Sequence, residues 1–480
     1  MGEYRMKAGK KPLIILFSGV FILLICIIMP ESLAEKCKLL NGQFGMHKAA
    51  VTAKINSSDN KSKLTPSDIK KLAGSLNITD YSYAVQPGVI ETKSAANKKS
   101  SAARIIGTNY MFPGFNTFTI LQGGFFTETS EKEGDYIAVI DDRLAWNVFL
   151  TDNAVGKSLE LYDKTFKIVG VIKSDDSILS KLAGISTPHI YIPGEKMLEL
   201  DEQAFVNFIQ LRTIDNSTFD KNRASISNAL SKAGYTPSDF SISDFNIKQA
   251  LLDQKTEIVI FIMGCIIILL VILWLWNILK DMVFEISQKC RTDYLTNVIK
   301  SSVPYMGLIL QKTAAAIFVI YLVIARITFK LYIPPEYIPE ELIDVSAYIN
   351  LIMSAFSESI GNKDYMMDTA GIIMNGIEVL TGGVLFIAVL AGLLMIFVGA
   401  SILHRAGKIF HIVVLKCGLF IFLSLAFLVA ATRAAGLPFM LETRHIVVLW
   451  AFIYVSLFFN YFKFERKNKE NETKQKLYEC

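Results

Sequence analysis

Six long apolar runs alternate with polar stretches along the chain. A transmembrane helix needs about 20 residues that are predominantly apolar. Runs of this kind predict six membrane-spanning helices, at residues 12–30, 256–279, 310–332, 378–403, 409–432 and 445–463. Residues 31–255 are instead rich in Lys, Asn, Ser and Asp, so they predict one large domain outside the lipid.

The first apolar run follows a basic leader at residues 1–11. A secretory signal peptide has the same layout, with a shorter apolar core and a cleavage site of small residues. Ser32-Leu33-Ala34 is one candidate for such a cleavage site. The length of the apolar core favours the alternative, an anchor helix that is not removed.

Lys and Arg residues in the short loops predict the orientation of the helices. With the N-terminus in the cytoplasm, the segments on the inner side are basic: residues 1–11, 280–309, 404–408 and 464–480. The outer side carries fewer positive charges, among them Lys330, Arg433 and Arg444. Both termini are therefore predicted to be cytoplasmic, with residues 31–255 and the loop at residues 333–377 outside.

Residues 31–255 contain signals for both helices and strands. TPSDIKKLAGSLNI predicts a helix with Thr65 as its cap, Pro66 at its first position and Asp68 in its first turn. In DYIAVIDDRLAWNVF, a strand precedes Asp141, which caps a second helix. SLELYDKTFKIVGVIK alternates with period two and predicts a hairpin, and HIYIP predicts another strand. AFVNFIQLRT, STFDKNRASISNALSKAG and YTPSDFSISDF then predict strand, helix and strand, so the domain is α+β.

One stretch of this domain, GTNYMFPGFNTFTILQGGFF, is aromatic and has neither charge nor helical period. Pro113-Gly114 and Gly123-Gly124 predict turns. The phenylalanines of the stretch are predicted to pack in the core: Phe112, Phe115, Phe118, Phe125 and Phe126. The alternative is a hydrophobic groove for an apolar ligand.

The composition argues against nucleic-acid binding and against ATP binding by this chain. The 480 residues are 52% hydrophobic, and the formal net charge of +5 reflects mainly the Lys and Arg residues that indicate the orientation of the helices. A nucleic-acid-binding protein would present a basic face on a soluble fold, and none is evident. The nucleotide-binding pattern G-x-x-x-x-G-K-[ST] does not occur in the sequence.

Catalytic and metal-binding patterns are also missing from the sequence. The five histidines are scattered and offer no carboxylate pair at ligand spacing, so no zinc site is predicted: His47, His189, His404, His411 and His445. A G-x-S-x-G elbow does not occur, and no cysteine pairs with a histidine on one side of the membrane. We therefore expect neither an enzyme nor a cofactor.

The serial order of several segments resembles a known family. NYMFPGFNTFTILQGGFF, AVIDDRLAWNVF, AVGKSLELYDKTFKIVGVIK and HIYIP follow one another as in the periplasmic core domain of MacB-type and FtsX-like ABC transporter permeases. Gly124-Phe125-Phe126, Leu144-Ala145, Val155-Gly156-Lys157 and residues 166–171 fill the places of the family pattern. The resemblance covers about residues 64–245 and the anchor helix before them, and it implies a multi-pass protein of the bacterial cell membrane.

The resemblance also implies partners. Such a permease works with a separate cytoplasmic ABC ATPase, as a homodimer or a heterodimer with a similar permease, and can have an extracytoplasmic partner. In the family, the segment between the second and third helices rests on the ATPase. Residues 280–309 occupy that place here, and the candidate docking residues are Glu285, Lys289, Arg291, Asp293 and Tyr294. The alternative is a solvated helix next to the membrane.

Two departures indicate a divergent relative. The loop at residues 333–377 replaces a short one, and Leu342, Val345, Ile349, Ile352 and Phe356 predict an amphipathic helix at the interface. Two spans are added at the C-terminal end. Three functions follow: a subunit that transmits ATP-driven motion to the outer domain, an exporter of a peptide or lipid-like molecule, or a non-transporting anchor or sensor.

Overall fold

The computed structural model describes residues 11–53, 63–95, 99–174, 187–213, 219–291, 294–333, 377, 381–382, 385–405 and 410–478. Contacts divide the chain into two compact units. The membrane unit comprises Met1–Ser32, Asp253–Tyr332 and Thr381–Cys480, and the outer unit comprises Leu33–Leu252 and Ile333–Leu380. The amphipathic helix predicted around residues 342–356 lies outside the described residues.

Ten strands of the outer unit form one mixed sheet. The strands are β1 Lys48–Ala53, β2 Tyr81–Ser94, β3 Ser100–Thr108, β4 Ile120–Gly123, β5 Ile137–Asp141, β6 Ser158–Leu161, β7 Lys164–Ile172, β8 His189–Pro193, β9 Phe208–Arg212 and β10 Phe240–Asp244. Their order is β10-β1-β9-β2-β3-β8-β5-β7-β4, and β6 pairs with β2 and β7. Only the pairs β3–β8 and β5–β7 are parallel among the described strands.

The described residues of the outer unit form six α-helices. They are α2 Pro66–Ser75, α3 Phe112–Phe115, α4 Glu128–Glu133, α5 Asp142–Phe149, α6 Gly194–Leu200 and α7 Phe219–Lys232. The sequence predicted three of them, α2, α5 and α7. Thr65 and Asp68 form a capping box at the start of α2, as predicted. Burial alone would raise the pKa of Asp68, but hydrogen bonds from Thr65 and Tyr235 hold that pKa below its ordinary value.

The predicted hairpin is confirmed and has a two-residue turn. Tyr162 and Asp163 both have positive φ, 49° and 61°, as a type I′ turn requires. This turn sets the register of β6 on β7, so Leu159 lies opposite Phe166. Both side chains are fully buried and belong to one hydrophobic cluster that α2, α5, α6 and α7 share with the sheet. The α+β prediction is therefore confirmed.

Asp141 joins three elements at the end of β5. Its Oδ1 accepts a hydrogen bond from Leu144 N at 2.8 Å and caps α5. Its Oδ2 accepts another from His189 N at 2.9 Å, at the start of β8. The residue is 2% exposed, so these two bonds satisfy a carboxylate that has little access to water.

The aromatic stretch packs mainly in the core, although the sequence reading missed part of its structure. Phe112, Phe115 and Phe126 are buried, whereas Phe118 and Phe125 are half-buried and stack with centroids 5.9 Å apart. The stretch also contains α3 and β4, which were not predicted. Gly123 in β4 has φ +67°, and a Cβ there would lie 2.1 Å from Val169 O, so only glycine fits this close strand contact.

Six helices among the described residues are long and apolar enough to cross a membrane, which confirms the predicted number. They lie within α1 Lys11–Leu40, α8 Phe245–Lys289, α9 Leu295–Ile327, α10 Leu385–Arg405, α11 Phe410–Ala434 and α12 Thr443–Tyr478. Apolar side chains from all six form the core of the membrane unit.

Several helices continue beyond the predicted spans. Helix α1 continues ten residues past residue 30 with Pro30 inside it, and α12 runs through most of the predicted tail. The predicted loop at residues 280–309 is largely helical, because α8 ends at Lys289 and α9 begins at Leu295. Hydropathy marks where a helix is in lipid, and the helix itself ends only where capping or turn residues stop its hydrogen bonds.

Glycines allow α1 and α10 to approach closely. A Cβ on Gly19 would lie 2.8 Å from Gly392 O, and a Cβ on Gly399 would lie 2.8 Å from Leu16 N. A Cβ on Gly392 would meet the Leu23 side chain at 3.0 Å. Small residues at such positions are typical of tightly packed membrane helices.

We expect Gly392→Leu to push α1 away from α10 and to lower the thermal midpoint of the detergent-solubilised protein by several degrees, because overpacking costs about 1–3 kcal/mol. The matched control is Gly307→Leu in α9, where nothing lies within 4 Å of the new Cβ. Equal midpoints for the two variants would contradict the close packing of α1 on α10.

We expect Asp141→Ala to lower the local free energy of opening at α5 and at the start of β8 by about 2 kcal/mol, because a helix cap is lost and the buried His189 N–H loses its acceptor. Hydrogen exchange of the full-length protein, read out on these segments, measures this quantity. Thr127→Ala removes a comparable cap from the exposed helix α4 and is expected to cost less. An equal cost would refute the joining role of Asp141.

Candidate functional site

The predicted docking residues lie where α8 ends and α9 begins. We call these ends of the two helices the inner ends. Glu285 and Lys289 are one turn apart on α8, with Lys289 Nζ 2.9 Å from Glu285 Oε1. Arg291 is exposed in the short connection, and Tyr294 directly precedes α9. Asp293 lies outside the described residues. The structure thus brings Glu285 and Lys289 into contact and places Arg291 and Tyr294 next to them in the chain.

The ion pair between Glu285 and Lys289 supports the helix beyond the apolar part of α8. Pairs of opposite charge four residues apart, with the acid first, stabilise a helix by a few tenths of a kcal/mol. Both side chains are nearly half exposed, so the pair remains accessible to a partner. Tyr305 of α9 also hydrogen-bonds to the Glu285 side chain and thereby connects the two helices.

Sequence reasoning missed Arg466 as a member of this region. Arg466 of α12 donates to Asp281 Oδ1 at 2.8 Å and also hydrogen-bonds to Asn277, both on α8. The inner ends of α8, α9 and α12 are therefore connected by polar side chains. Arg466 lies in the segment predicted as a tail, and the continuation of α12 that brings it to α8 is not marked by hydropathy.

The surface at the inner ends combines charge with exposed apolar groups. The side chains of Val283 and Phe284 are 61% and 65% exposed, and Tyr294 is 81% exposed. Large exposed apolar side chains next to accessible charges are typical of surfaces that bind a protein or a membrane.

A second polar cluster was not predicted from the sequence. It lies at the opposite ends of these spans, which we call the outer ends. It contains Glu31 of α1, Glu257 of α8, Glu442 just before α12, and Arg444 and His445 of α12. Its members are far apart in sequence, so no spacing motif marks it. Only the predicted topology could have indicated the cluster, because it places each of these residues at the outer end of a span.

The comparisons with known proteins concern the outer unit. Residues 37–229 match the family model of the MacB-like periplasmic core domain. This match begins earlier and ends earlier than the resemblance found in the sequence. The chain matches no curated protein.

Two solved structures are similar to part of the chain. The periplasmic region of MacB from Actinobacillus actinomycetemcomitans is 18% identical, with 43% of this chain and 92% of that chain covered and a TM-score of 0.35. The extracellular domain of the noncanonic ABC-type transporter YknZ from Gram-positive bacteria is 13% identical, with 41% and 99% covered and a TM-score of 0.33.

The assignment of a domain rests on the model match and concerns the outer unit. The match begins within α1 and ends within α7, so it includes β1 to β9 and excludes most of the membrane unit. Residues 37–229 are therefore a MacB-like periplasmic core domain, within a multi-pass cell-membrane protein whose described residues include six helices long and apolar enough to cross a membrane.

Proposed function

We propose that this chain is the permease-like subunit of an ABC-type complex that transmits ATP-driven motion from a separate cytoplasmic ATPase to the outer domain. The observation that carries the proposal is the continuity of α8. This helix begins directly after β10, a strand of the outer sheet, and continues for 45 residues to Lys289. At 1.5 Å per residue it is about 67 Å long, which exceeds the ~30 Å hydrocarbon core of a bilayer.

A continuous helix is a suitable element for transmitting force. Its backbone hydrogen bonds are all internal, so it is stiff, and a displacement at its inner end reaches the outer end without passing through a hinge. Pro is the usual cause of a sharp bend, and α8 contains none. The polar contacts to α9 and α12 would carry the same displacement into two further spans.

The docking site of the ATPase is proposed to be Glu285, Lys289, Arg291, Asp293 and Tyr294. The accessible ion pair of α8 and the highly exposed Tyr294 support this choice. Aromatic residues and Arg are the side chains that most often dominate binding energy at interfaces. An ABC-type complex is also proposed to contain a second permease, either another copy of this chain or a similar one.

We expect the double reversal Lys289→Glu with Arg291→Glu to weaken association with the ATPase by about tenfold or more, because two attractive contacts become repulsive. Affinity purification in mild detergent, followed by quantification of the co-purified ATPase, measures this effect. The matched control is Lys463→Glu with Lys467→Glu, a reversal of two exposed charges on α12. Membrane insertion is expected to be unchanged in both variants.

Two results would argue against the proposal at different levels. If both variants retain the ATPase as well as the unaltered protein does, the ATPase docks elsewhere. If no ATPase co-purifies with the unaltered protein, the alternative of a non-transporting anchor or sensor is favoured. Uptake into vesicles by the purified complex would separate export of a peptide or lipid-like molecule from transmission of motion alone.

We expect Tyr294→Ala to reduce association by a similar factor, because the 81% exposed ring is available to fill a pocket on a partner. Tyr294→Phe is the control, since it keeps the ring and removes only the hydroxyl. Unchanged association in the alanine variant would show that the ring is not part of the interface.

A further inference from the structure

The outer charge cluster comprises Glu31, Glu257, Glu442, Arg444 and His445. It brings together three helices of the membrane unit, α1, α8 and α12. The His445 side chain is 2% exposed, and those of Glu31 and Glu257 are 13% and 14% exposed. The Glu442 side chain is 58% exposed, so the cluster is open to the outside on that side.

His445 is the central member of the cluster. Its Nδ1 lies 2.5 Å from Glu31 Oε1, and its Nε2 lies 3.5 Å from Glu257 Oε1 and 3.9 Å from Glu442 Oε2. Neither ring nitrogen makes a hydrogen bond of normal geometry within the described part of the chain. A buried polar group in this condition requires an explanation, and a bound ion is one of the few available.

The two sides of the imidazole ring have different surroundings. Nδ1 faces one carboxylate at hydrogen-bond distance, and a small tilt of the ring would let Nδ1–H donate to Glu31. Nε2 faces two carboxylates that are beyond hydrogen-bond distance. Histidines that ligate metals almost always donate the other ring N–H to a carboxylate or carbonyl, which fixes the tautomer and leaves the second nitrogen free to bind. Glu31 is positioned to orient His445 in this way.

The distances around Nε2 match those of a metal-ligand set. One ligand atom from each of Glu257, Glu442 and His445 lies within 4.8 Å of the other two. Zinc binds nitrogen and carboxylate oxygen at 2.0–2.2 Å, so tetrahedral ligands are about 3.4 Å apart. The separations of 3.5 and 3.9 Å from Nε2 to the two oxygens are close to this value and require only small side-chain shifts.

The charge of the cluster also favours a cation. Three glutamates and one arginine leave two negative charges in excess when His445 is neutral. Arg444 contacts the same two carboxylates, with Nε 2.5 Å from Glu442 Oε2 and the guanidinium also paired with Glu257. Its side chain is 28% exposed and can swing towards solvent, so Arg444 acts as a tethered counter-ion that a metal would displace. The buried Glu257 Oε2 has no hydrogen-bond partner in the described structure and is available as well.

We propose that the outer charge cluster binds a divalent transition-metal ion of the zinc class. His445 Nε2, Glu257 and Glu442 are the ligands, Glu31 orients His445, and Arg444 is the displaceable counter-ion. Three protein ligands leave a fourth tetrahedral position open to water or to a group of a partner. The bound ion would fasten α8 to α12 at their outer ends, and this proposal does not depend on an ATPase partner.

The test is titration of the full-length protein, purified in detergent with an affinity tag that contains no histidine, with zinc chloride in competition with a chromophoric chelator. We expect one saturable site per chain and a thermal midpoint that rises with zinc concentration. His445→Gln and Glu257→Gln are each expected to weaken zinc binding at least tenfold. Glu31→Gln is expected to weaken it about tenfold, as loss of a carboxylate that orients a ligand does.

Arg444→Gln provides the sharpest result, because it is expected to strengthen zinc binding by about tenfold through removal of a competing positive charge. Misfolding cannot produce such a gain. His411→Gln, at an exposed histidine of α11, is the control and is expected to leave the affinity unchanged. Absence of saturable binding by the unaltered protein, full affinity in His445→Gln or Glu257→Gln, or weaker binding in Arg444→Gln would overturn the proposal.

Discussion

Backbone hydrogen bonding in lipid is the constraint on which the membrane unit depends. Backbone N–H and C=O groups in the hydrocarbon layer have no water to bind, and a helix satisfies them within its own segment. Nothing in this constraint ends a helix at the membrane surface. Helices α1, α8 and α12 contain 30, 45 and 36 residues, more than the about 20 that a span needs, and Glu285 and Lys289 form an ion pair in the last turns of α8. Helix α1 precedes the first strand of the outer sheet along the chain, and α8 directly follows its last strand.

The outer unit depends on a different constraint, because its ten strands must pair in one defined register. Two positions show how local chemistry sets it. The positive φ values of Tyr162 and Asp163 fix the hairpin of β6 and β7, which places Leu159 opposite Phe166 in the core. Asp141 then holds the end of β5 to the start of β8 while it caps α5. The edge strand β4 depends on Gly123, since a side chain there would collide with Val169 O.

The sequence allowed prediction of those features whose cause is local. Apolar runs located the six spans, the Thr65–Asp68 pair located the start of α2, and period-two alternation located the hairpin. Strand β4 was missed because its four residues are too few to show a period and because Gly123 reads as a turn. Helix ends were not predicted, because hydropathy marks apolar length and carries no information on where backbone hydrogen bonding stops. The outer charge cluster was missed because Glu31, Glu257 and His445 come together only through packing.

Polar contacts at both membrane faces join α8 and α12 into one parallel pair. At the outer ends Arg444 and His445 face Glu257, and at the inner ends Arg466 binds Asp281.

The spacing of these contacts agrees with a parallel arrangement. Glu257 and Asp281 are about 36 Å apart along α8, and Arg444 and Arg466 about 33 Å apart along α12, at 1.5 Å per residue. Both distances slightly exceed the hydrocarbon thickness of about 30 Å, so the ionic groups at both ends can remain near water. Between them, Trp274 packs on Phe458 and Phe462. If α8 transmits motion as proposed, these contacts would make α12 share a displacement of α8 along its axis.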